Sequence, residues 1–200
     1  MSRQIFPGFA SEPPVYAYFR RLPLLETTRL VLRPLRMRDA EDLFLWTSDP
    51  EVARYVLWPA HTSVRETREY IRYIRRLYRS ALPSSWGIVL KETGRVIGTV
   101  GFMFYSPENL SCEIGYSLSR EYWNRGIMTE AVSRVLRSVF GDLPVIRVEA
   151  QHDVRNPASG RVLEKCGMKK EGVLRSRVIN KGEPADVALW AVLKSDLLPS

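Results

Sequence analysis

The sequence is poor in cysteine and histidine, with two of each among 200 residues. Two cysteines, Cys112 and Cys166, do not make a disulfide framework, and the isolated histidines His61 and His152 do not suggest a metal site. A nucleophilic role for Cys166 is also disfavoured, because no histidine partner lies near it in the sequence. We therefore expect a fold without structural metal or disulfide bonds.

Long hydrophobic runs are absent as well. No apolar run reaches the roughly 20 residues that a membrane-spanning helix needs. Pro7 and Gly8 interrupt the N-terminal stretch in which a signal-peptide core would lie. These absences predict a cytoplasmic protein with no membrane contact.

Positive charge is what the sequence has in excess. The formal net charge is +8, from 30 Lys+Arg against 22 Asp+Glu, and arginine greatly outnumbers lysine. A basic balance favours anionic partners such as phosphorylated cofactors, acidic peptides or RNA, but it can also serve solubility alone. The remaining composition, with 45% hydrophobic and 26% charged residues, is that of an ordinary globular protein.

The chain is predicted to consist of an arm and one domain. Residues 1–26 are rich in proline and aromatic residues and are interpreted as an N-terminal arm that packs on the domain or on a partner subunit. Residues 27–198 are interpreted as the domain. Its predicted elements run in the order strand, helices, three strands, helix, strand, helix, two strands, which indicates a mixed α/β fold. Helix starts are predicted at Asp49-Pro50, at Ser63 with Glu66, and at Asn156-Pro157.

A strand over 113–118 followed by a loop centred on Gly126 and a helix over about 125–140 is the most informative segment. The first turn of a helix leaves backbone N–H groups unpaired and carries partial positive charge, so it can bind a phosphate. Gly126 is the only glycine of this loop, so the loop is neither a dinucleotide-binding fingerprint nor a P-loop. From spacing alone, an incidental glycine at a helix start is the alternative.

Five blocks of sequence carry a resemblance to a known family. Residues 25–193 resemble the GNAT N-acetyltransferase superfamily, and in particular its RimJ/RimL-type branch of ribosomal-protein N-terminal acetyltransferases. The blocks are 28–34, 57–59, 113–116, 122–131 and 156–168. The resemblance implies the GNAT fold, which is a mostly antiparallel sheet with a splayed strand pair and helices on both faces. It also implies acetyl-CoA as the cofactor.

The resemblance assigns the cofactor site to three places. The pyrophosphate is expected at the backbone amides of Arg125, Gly126, Ile127, Met128 and Thr129, although Trp123 and Met128 depart from the general pattern of the superfamily. The Arg125 side chain is interpreted either as an added phosphate ligand or as a solvated arginine. The pantetheine arm is expected to lie like an added strand along Tyr116, Ser117 and Leu118, with a further hydrogen bond from Asn156.

Two residues are predicted to be catalytic. Glu113, at the start of the splayed strand, is the candidate base for the amine, with a salt-bridged strand residue as the alternative reading and ordered water as the alternative base. The resemblance also implies an acid for the leaving thiolate. Many relatives use a tyrosine, which corresponds here to Leu163, whereas the Rim-type branch offers a serine, and Ser159 fits that position. For both Asn156 and Ser159 the alternative is capping of the helix that starts at Pro157.

The acceptor is predicted least directly. The resemblance favours a protein N-terminal amine, attacked directly in a ternary complex. The alternatives are a small amine (an antibiotic, polyamine or amino acid) and a non-catalytic acyl-CoA-binding or RNA-associated module. Trp58 and Trp86 line either the acceptor pocket or the core. An arginine stripe from Arg65 to Arg79 is either an electropositive wall for an acidic or RNA-bound substrate or a solvated face. A monomer or homodimer is expected.

Overall fold

The computed structural model describes residues 14–197, and within this range eight strands form one sheet. The strands are β1 (Leu25–Glu26), β2 (Leu30–Pro34), β3 (Ser85–Leu90), β4 (Val96–Ser106), β5 (Ser111–Leu118), β6 (Arg147–Asp153), β7 (Lys169–Asn180) and β8 (Glu183–Leu193). Their spatial order is β1-β2-β3-β4-β5-β6-β8-β7. Every neighbouring pair is antiparallel except β5 and β6, which are parallel. The predicted fold class, a mostly antiparallel sheet in a mixed α/β chain, is confirmed.

The helices between the first and the last strands follow the predicted order, whereas the helices at Pro14–Arg20 and Lys194–Leu197 were not predicted. They are α1 (Pro14–Arg20), α2 (Ala40–Thr47), α3 (Pro50–Ala53), α4 (Val64–Arg79), α5 (Ile127–Asp142), α6 (Pro157–Lys165) and α7 (Lys194–Leu197), with short 3-10 turns at Met37–Asp39 and Arg120–Tyr122. Among residues 14–197, none of these helices combines the length and the apolar character that a bilayer crossing requires.

The predicted helix starts are confirmed by their caps. Asp49 accepts a hydrogen bond from the Glu51 N–H at 3.0 Å, and Ser63 accepts one from the Glu66 N–H at 3.3 Å. Asn156 caps α6 in the same way through the Ser159 N–H at 3.3 Å. Each cap satisfies an N–H that the first helical turn leaves without a partner.

The helix that starts at Asp49-Pro50, which the sequence predicts over roughly 51–56, is shorter than expected. The helix predicted over 51–56 ends at Ala53, because the backbone carbonyls of Ala53, Arg54 and Val56 turn to the ammonium group of Lys181, at 2.6, 3.3 and 3.2 Å. The contact joins the turn between β7 and β8 to this segment. Helix α5 ends at Asp142, two residues beyond its approximate predicted end.

Helices cover the two faces of the sheet unequally. α5 and α6 pack on the face that carries Ile114 and Tyr116, which we call the α6 face. α4 packs on the opposite face, where its Tyr70 hydrogen-bonds to Thr99, the cross-strand neighbour of Ser117. We call this the α4 face. Side chains alternate along β5, so Glu113 lies on the α4 face with Ser117.

Part of the predicted arm belongs to the core. Phe19, Leu22 and Leu25 are all at most 4% exposed, and β1 pairs with β2 at the edge of the sheet. The Tyr18 hydroxyl lies 3.0 Å from the Ser138 hydroxyl of α5. Residues 1–13 of the arm and residue 198 of the predicted domain lie outside the described residues, so the boundary between them stays a prediction.

Candidate active site

The sheet opens between β5 and β6. These strands pair only from Ser111 to Ile114, opposite Arg147 to Ala150. Beyond that point β5 continues along β4 to Leu118, whereas β6 continues along β8 to Asp153. The edge of β5 that faces β6 is therefore unpaired over its last residues, and its backbone groups are available to a ligand.

A cleft of about 500 Å³ begins at this opening. One wall is the end of β5, and the floor is the loop and first turn of α5. The start of α6 forms another wall, with the basic residues Arg155, Arg161 and Lys165. Glu51, Val52, Tyr55 and Val56, from α3 and the turn after it, complete the cleft. The sequence carried no motif for this last wall, since it is an ordinary short helix in the sequence.

The glycine loop has the geometry of an anion site. Gly126 adopts a left-handed conformation with φ 71°, and α5 starts directly after it. Within residues 14–197 the N–H groups of Gly126, Ile127, Met128 and Thr129 have no hydrogen-bond acceptor. These four residues line the cleft, so their unpaired N–H groups and the positive end of the helix dipole suit a phosphorylated ligand.

The loop is fixed by its own side chains. The Trp123 indole N–H donates to the Leu118 carbonyl at 2.8 Å, which ties the loop to the end of β5. This contact explains a tryptophan at a position where the general pattern has a different residue. The Arg125 guanidinium lies over the Tyr122 ring at 5.6 Å. The structure does not place Arg125 in the cleft wall, unlike the four residues that follow it.

Asn156, Ser159 and Tyr116 meet at the wall formed by α6. The Tyr116 hydroxyl lies 2.9 Å from the Ser159 hydroxyl and 3.0 Å from the Ser159 carbonyl. Burial raises the pKa of Tyr116, so its phenol remains protonated. Asn156 uses its side-chain oxygen for the cap of α6, which leaves its NH2 group for a second partner. The phenol of Tyr116 was missed from the sequence, because its partner is 43 residues away.

Glu113 lies on the α4 face, outside the cleft wall. It is opposite Glu149 in the parallel register of β5 and β6, and it accepts a hydrogen bond from the Gln151 amide at 3.2 Å. Burial and then the charge of Glu149 raise the pKa of Glu113, against the smaller opposing effects of the Gln151 bond and of Arg177. Glu149 itself is held by Arg147 at 2.6 Å.

The two tryptophans proposed for an acceptor pocket do not line the cleft. Trp86 is completely buried, and its indole N–H donates to the Pro23 carbonyl at 2.8 Å. The pocket prediction is therefore corrected to the core alternative, since the aromatic residues of α1 cover this part of β3. Trp58 is half-buried, and its ring packs near Trp46 and His61 at 6.5 and 5.7 Å between ring centroids.

The cysteines and histidines do not form a metal site among residues 14–197, where no group of three or more metal-ligating side chains comes together. Cys112 and Cys166 are both buried, and burial raises the pKa of each thiol. A buried thiol with a raised pKa is a poor nucleophile.

The arginine stripe lies on the exposed side of α4. Arg68 pairs with Glu41 of α2 at 2.7 Å, and Arg65 pairs with Glu69 at 3.3 Å. The other exposed arginines of α4 have no carboxylate within ion-pair distance in the described part of the chain; they are Arg72, Arg75, Arg76 and Arg79. The half-buried Tyr70 and the buried Ile71, Ile74 and Tyr78 form the opposite side of the helix, against the sheet.

Comparisons with known proteins agree with this geometry. Residues 29–169 match the model of the acetyltransferase (GNAT) domain. The chain is 37% identical over 172 residues to an N-acetyltransferase of Bacillus licheniformis called p20, covering 86% of this chain and 97% of that protein. It is 25% identical to the [ribosomal protein uS5]-alanine N-acetyltransferase of Escherichia coli, covering 88% of this chain and 93% of the relative.

A solved structure shows the same fold. The ribosomal L7/L12 α-N-protein acetyltransferase RimL, solved in complex with coenzyme A, superposes with a TM-score of 0.77 at 21% identity. The match covers 86% of this chain and 98% of the RimL chain.

Proposed function

The chain belongs to the GNAT acetyltransferase family and is an acetyl-CoA-dependent N-acetyltransferase, and we propose that its acceptor is the α-amino group at the N-terminus of a protein. The observation that carries the proposed site is the opening between β5 and β6. It brings the free N–H groups of α5, an unpaired strand edge and the Tyr116–Ser159 pair to one cleft.

The residues present fit acetyl-CoA. The N–H groups from Gly126 to Thr129 would hold the pyrophosphate, and the basic rim of the cleft would favour its negative charge. The backbone of Tyr116, Ser117 and Leu118 would hold the pantetheine arm, with the free NH2 group of Asn156. The Leu118 carbonyl already accepts a hydrogen bond from Trp123, so Leu118 has fewer free backbone groups for the pantetheine arm than Tyr116 and Ser117. When bound, the cofactor supplies an acetyl group activated as a thioester.

Glu113 is proposed as the base that takes a proton from the acceptor ammonium. An α-amine has a pKa of about 8 and is mostly protonated at neutral pH, so one proton must leave before the nitrogen can attack. The raised pKa of Glu113 suits this task, because a carboxylate with a higher proton affinity is a better base. Ordered water remains the alternative base.

Ser159 is proposed as the acid for the leaving thiolate. The single phenol proton of Tyr116 lies within hydrogen-bond distance of both the Ser159 carbonyl and the Ser159 hydroxyl oxygen. When the phenol donates to the hydroxyl oxygen instead of the carbonyl, the Ser159 hydroxyl proton is free to point into the cleft. Attack is proposed to be direct, in a ternary complex, because no cysteine lines the cleft and both Cys112 and Cys166 are buried.

Two observations support a protein N-terminus as the acceptor. The relative from Escherichia coli is named as an N-acetyltransferase of an alanine in ribosomal protein uS5. The Lys181 contact also ties the β7–β8 turn to the segment after α3, beside the open strands. A path for the acceptor beside this contact would suit an extended chain end better than a lysine on a folded surface.

A small amine is the second candidate. Glu113 and Glu149 lie side by side on the α4 face. Arg147 pairs with Glu149, but Glu113 has no ion-pair partner among residues 14–197, so its carboxylate can attract a compact cation without any need for a peptide. The curated relative at 37% identity is named only as an N-acetyltransferase, so it does not discriminate between the two acceptors.

An acceptor panel tests the proposal. CoA release is followed with lysine-free peptides that have a free N-terminus, the same peptides with a blocked N-terminus, free lysine, polyamines and aminoglycosides. We expect release with the free peptides and none with their blocked counterparts. Strong release with a small amine and silence with every peptide would contradict the proposed acceptor and support the second candidate.

We also propose that the unpaired arginines of α4 recruit an acidic or RNA-bound substrate. Arginine binds phosphate and carboxylate groups in a bidentate way, and a row of unpaired guanidinium groups is suited to an anionic surface. A solvated face is the alternative, which the salt dependence described in the Discussion separates from recruitment.

A further inference from the structure

Arg29, the residue directly before β2, bonds to the glycine loop from outside the cleft. Its guanidinium donates to the Arg125 carbonyl at 2.9 Å and pairs with the Glu130 carboxylate at 2.6 Å. The Arg29 backbone N–H donates to the same carboxylate at 3.0 Å. Strand β2 is thus connected both to the loop and to the first turns of α5.

The bond to the Arg125 carbonyl has a stereochemical consequence. A trans peptide is planar, so its C=O and N–H groups point in opposite directions, and the peptides of the described chain contain no cis bond. The C=O of the peptide between Arg125 and Gly126 points to Arg29, so the Gly126 N–H points away from it. Gly126 lines the cleft and Arg29 does not, so the N–H is directed to the cleft side.

The environment of Gly126 supports the same orientation. A Cβ atom built on Gly126 would lie 3.6 Å from the Arg29 guanidinium. The side-chain direction at this position therefore also faces Arg29. The left-handed backbone of Gly126, with φ 71°, presents its N–H to the cleft only while the peptide before it keeps its plane.

We propose that Arg29 is a positioning residue for the pyrophosphate of the cofactor, because it fixes the plane of the Arg125–Gly126 peptide and turns the Gly126 N–H into the cleft. Arg29 acts from outside the site and touches no ligand. The inference rests on the proposed cofactor site at this loop.

The test compares ligands with and without a pyrophosphate. Calorimetry gives the Kd of CoA, and steady-state kinetics give kcat/KM for acetyl-CoA and for S-acetylpantetheine, which has the thioester and the pantetheine arm only. Lys91→Gln is the matched control, because Lys91 bonds Glu26 and the Thr27 carbonyl at the same end of the sheet without touching the loop.

Arg29→Gln should raise the Kd of CoA by on the order of tenfold to a hundredfold, as expected when a hydrogen bond to a charged group is lost. It should lower kcat/KM for acetyl-CoA by a similar factor and leave kcat/KM for S-acetylpantetheine unchanged. Arg29→Lys keeps a cation that reaches one of the two acceptors, so its Kd for CoA and its kcat/KM for acetyl-CoA should lie between those of the wild type and those of Arg29→Gln. Lys91→Gln should match the wild type with both donors.

Two further results separate the explanations. The double variant Arg29→Gln/Glu130→Gln removes the carboxylate charge that the single variant leaves without a cationic partner, and its CoA binding should remain weakened. Recovery of wild-type affinity would overturn the peptide-plane account, as would an equal loss with both donors or an unchanged Kd. If Arg29→Gln fails to fold, Arg29→Lys decides by the same comparison. A wild-type protein that does not bind CoA would instead refute the proposed cofactor site.

Discussion

The Tyr116–Ser159 pair gives the sharpest prediction about the chemistry. Ser159→Ala removes the proposed proton donor to the thiolate. A hydrogen bond to a charged group contributes about 1.5–3 kcal/mol, and each 1.36 kcal/mol in the barrier is a factor of ten in rate. The expected loss in kcat is therefore about 10- to 150-fold, with little change in the Kd of CoA.

Tyr116→Phe removes only the phenol hydroxyl, which lies 2.9 Å from the Ser159 hydroxyl. A hydrogen bond between neutral groups contributes about 0.5–1.5 kcal/mol, so kcat should fall by about 2- to 13-fold. If Tyr116 acts only through Ser159, the Tyr116→Phe change should have no further effect in a protein that already carries Ser159→Ala.

The assay is a double-mutant cycle on kcat at saturating acetyl-CoA and acceptor, read from the release of the CoA thiol. The Tm of each variant reports whether the loss of a half-buried hydrogen bond has affected folding. Independent, multiplicative losses in the double variant would refute the coupling of the phenol to the acid. Wild-type turnover in Ser159→Ala would refute the acid assignment itself.

Three further predictions concern the base, the α6 cap and the α4 surface. Glu149→Gln removes the like charge that raises the pKa of Glu113. Because Glu113 must be deprotonated to act as a base, the acidic limb of the pH profile of kcat/KM should move to lower pH. An unmoved limb would contradict the base assignment. Asn156→Ala removes the cap of α6, so the protein should lose about 0.5–2 kcal/mol of stability and should also bind CoA more weakly. Asn156→Asp keeps the capping oxygen but not the NH2 group, so it should restore the Tm without restoring CoA affinity. Recovery of both the Tm and the CoA affinity would mean that Asn156 serves only as a helix cap. Replacing the four unpaired arginines of α4 with glutamate should lower kcat/KM for an acidic peptide or RNA-bound acceptor, mainly at low salt. If this variant and the wild type have equal kcat/KM at every salt concentration, the arginines form a solvated face.

The buried state of Glu113 also affects stability. Its pKa in the folded protein is raised, so the folded state binds more protons than the unfolded state between the two pKa values. The favourable contribution is fully present below the unfolded pKa and is lost as the pH rises through the folded pKa. At neutral pH the ionised Glu113 therefore makes the folded protein less stable, which is expected of a carboxylate that serves chemistry and not stability.

Features encoded by neighbouring residues were predictable from the sequence. The caps at Asp49, Ser63 and Asn156 depend on contacts two or three residues away, and each was confirmed. The glycine loop was equally local, because a left-handed residue before a helix nearly requires the glycine at position 126. The family resemblance then supplied the splayed strands, which no local pattern indicates.

Features made by distant residues were not predictable. The Tyr116 phenol meets Ser159 across 43 residues, and Arg29 meets Arg125 across 96. The strand pattern around Trp86 does not show whether its side chain is buried. The packing of α1 over Trp86 places it in the core. These contacts depend on how elements pack in space, which hydrophobic periodicity does not specify.

The most direct test of the central claim is to identify the acetylated nitrogen. Purified protein is incubated with acetyl-CoA and a peptide that contains both a free N-terminus and an internal lysine, and the product is sequenced by tandem mass spectrometry. The account predicts an acetyl group on the α-nitrogen alone, formed together with an equal amount of CoA. Acetylation of the lysine side chain, or an unmodified peptide beside an acetylated polyamine, would contradict it.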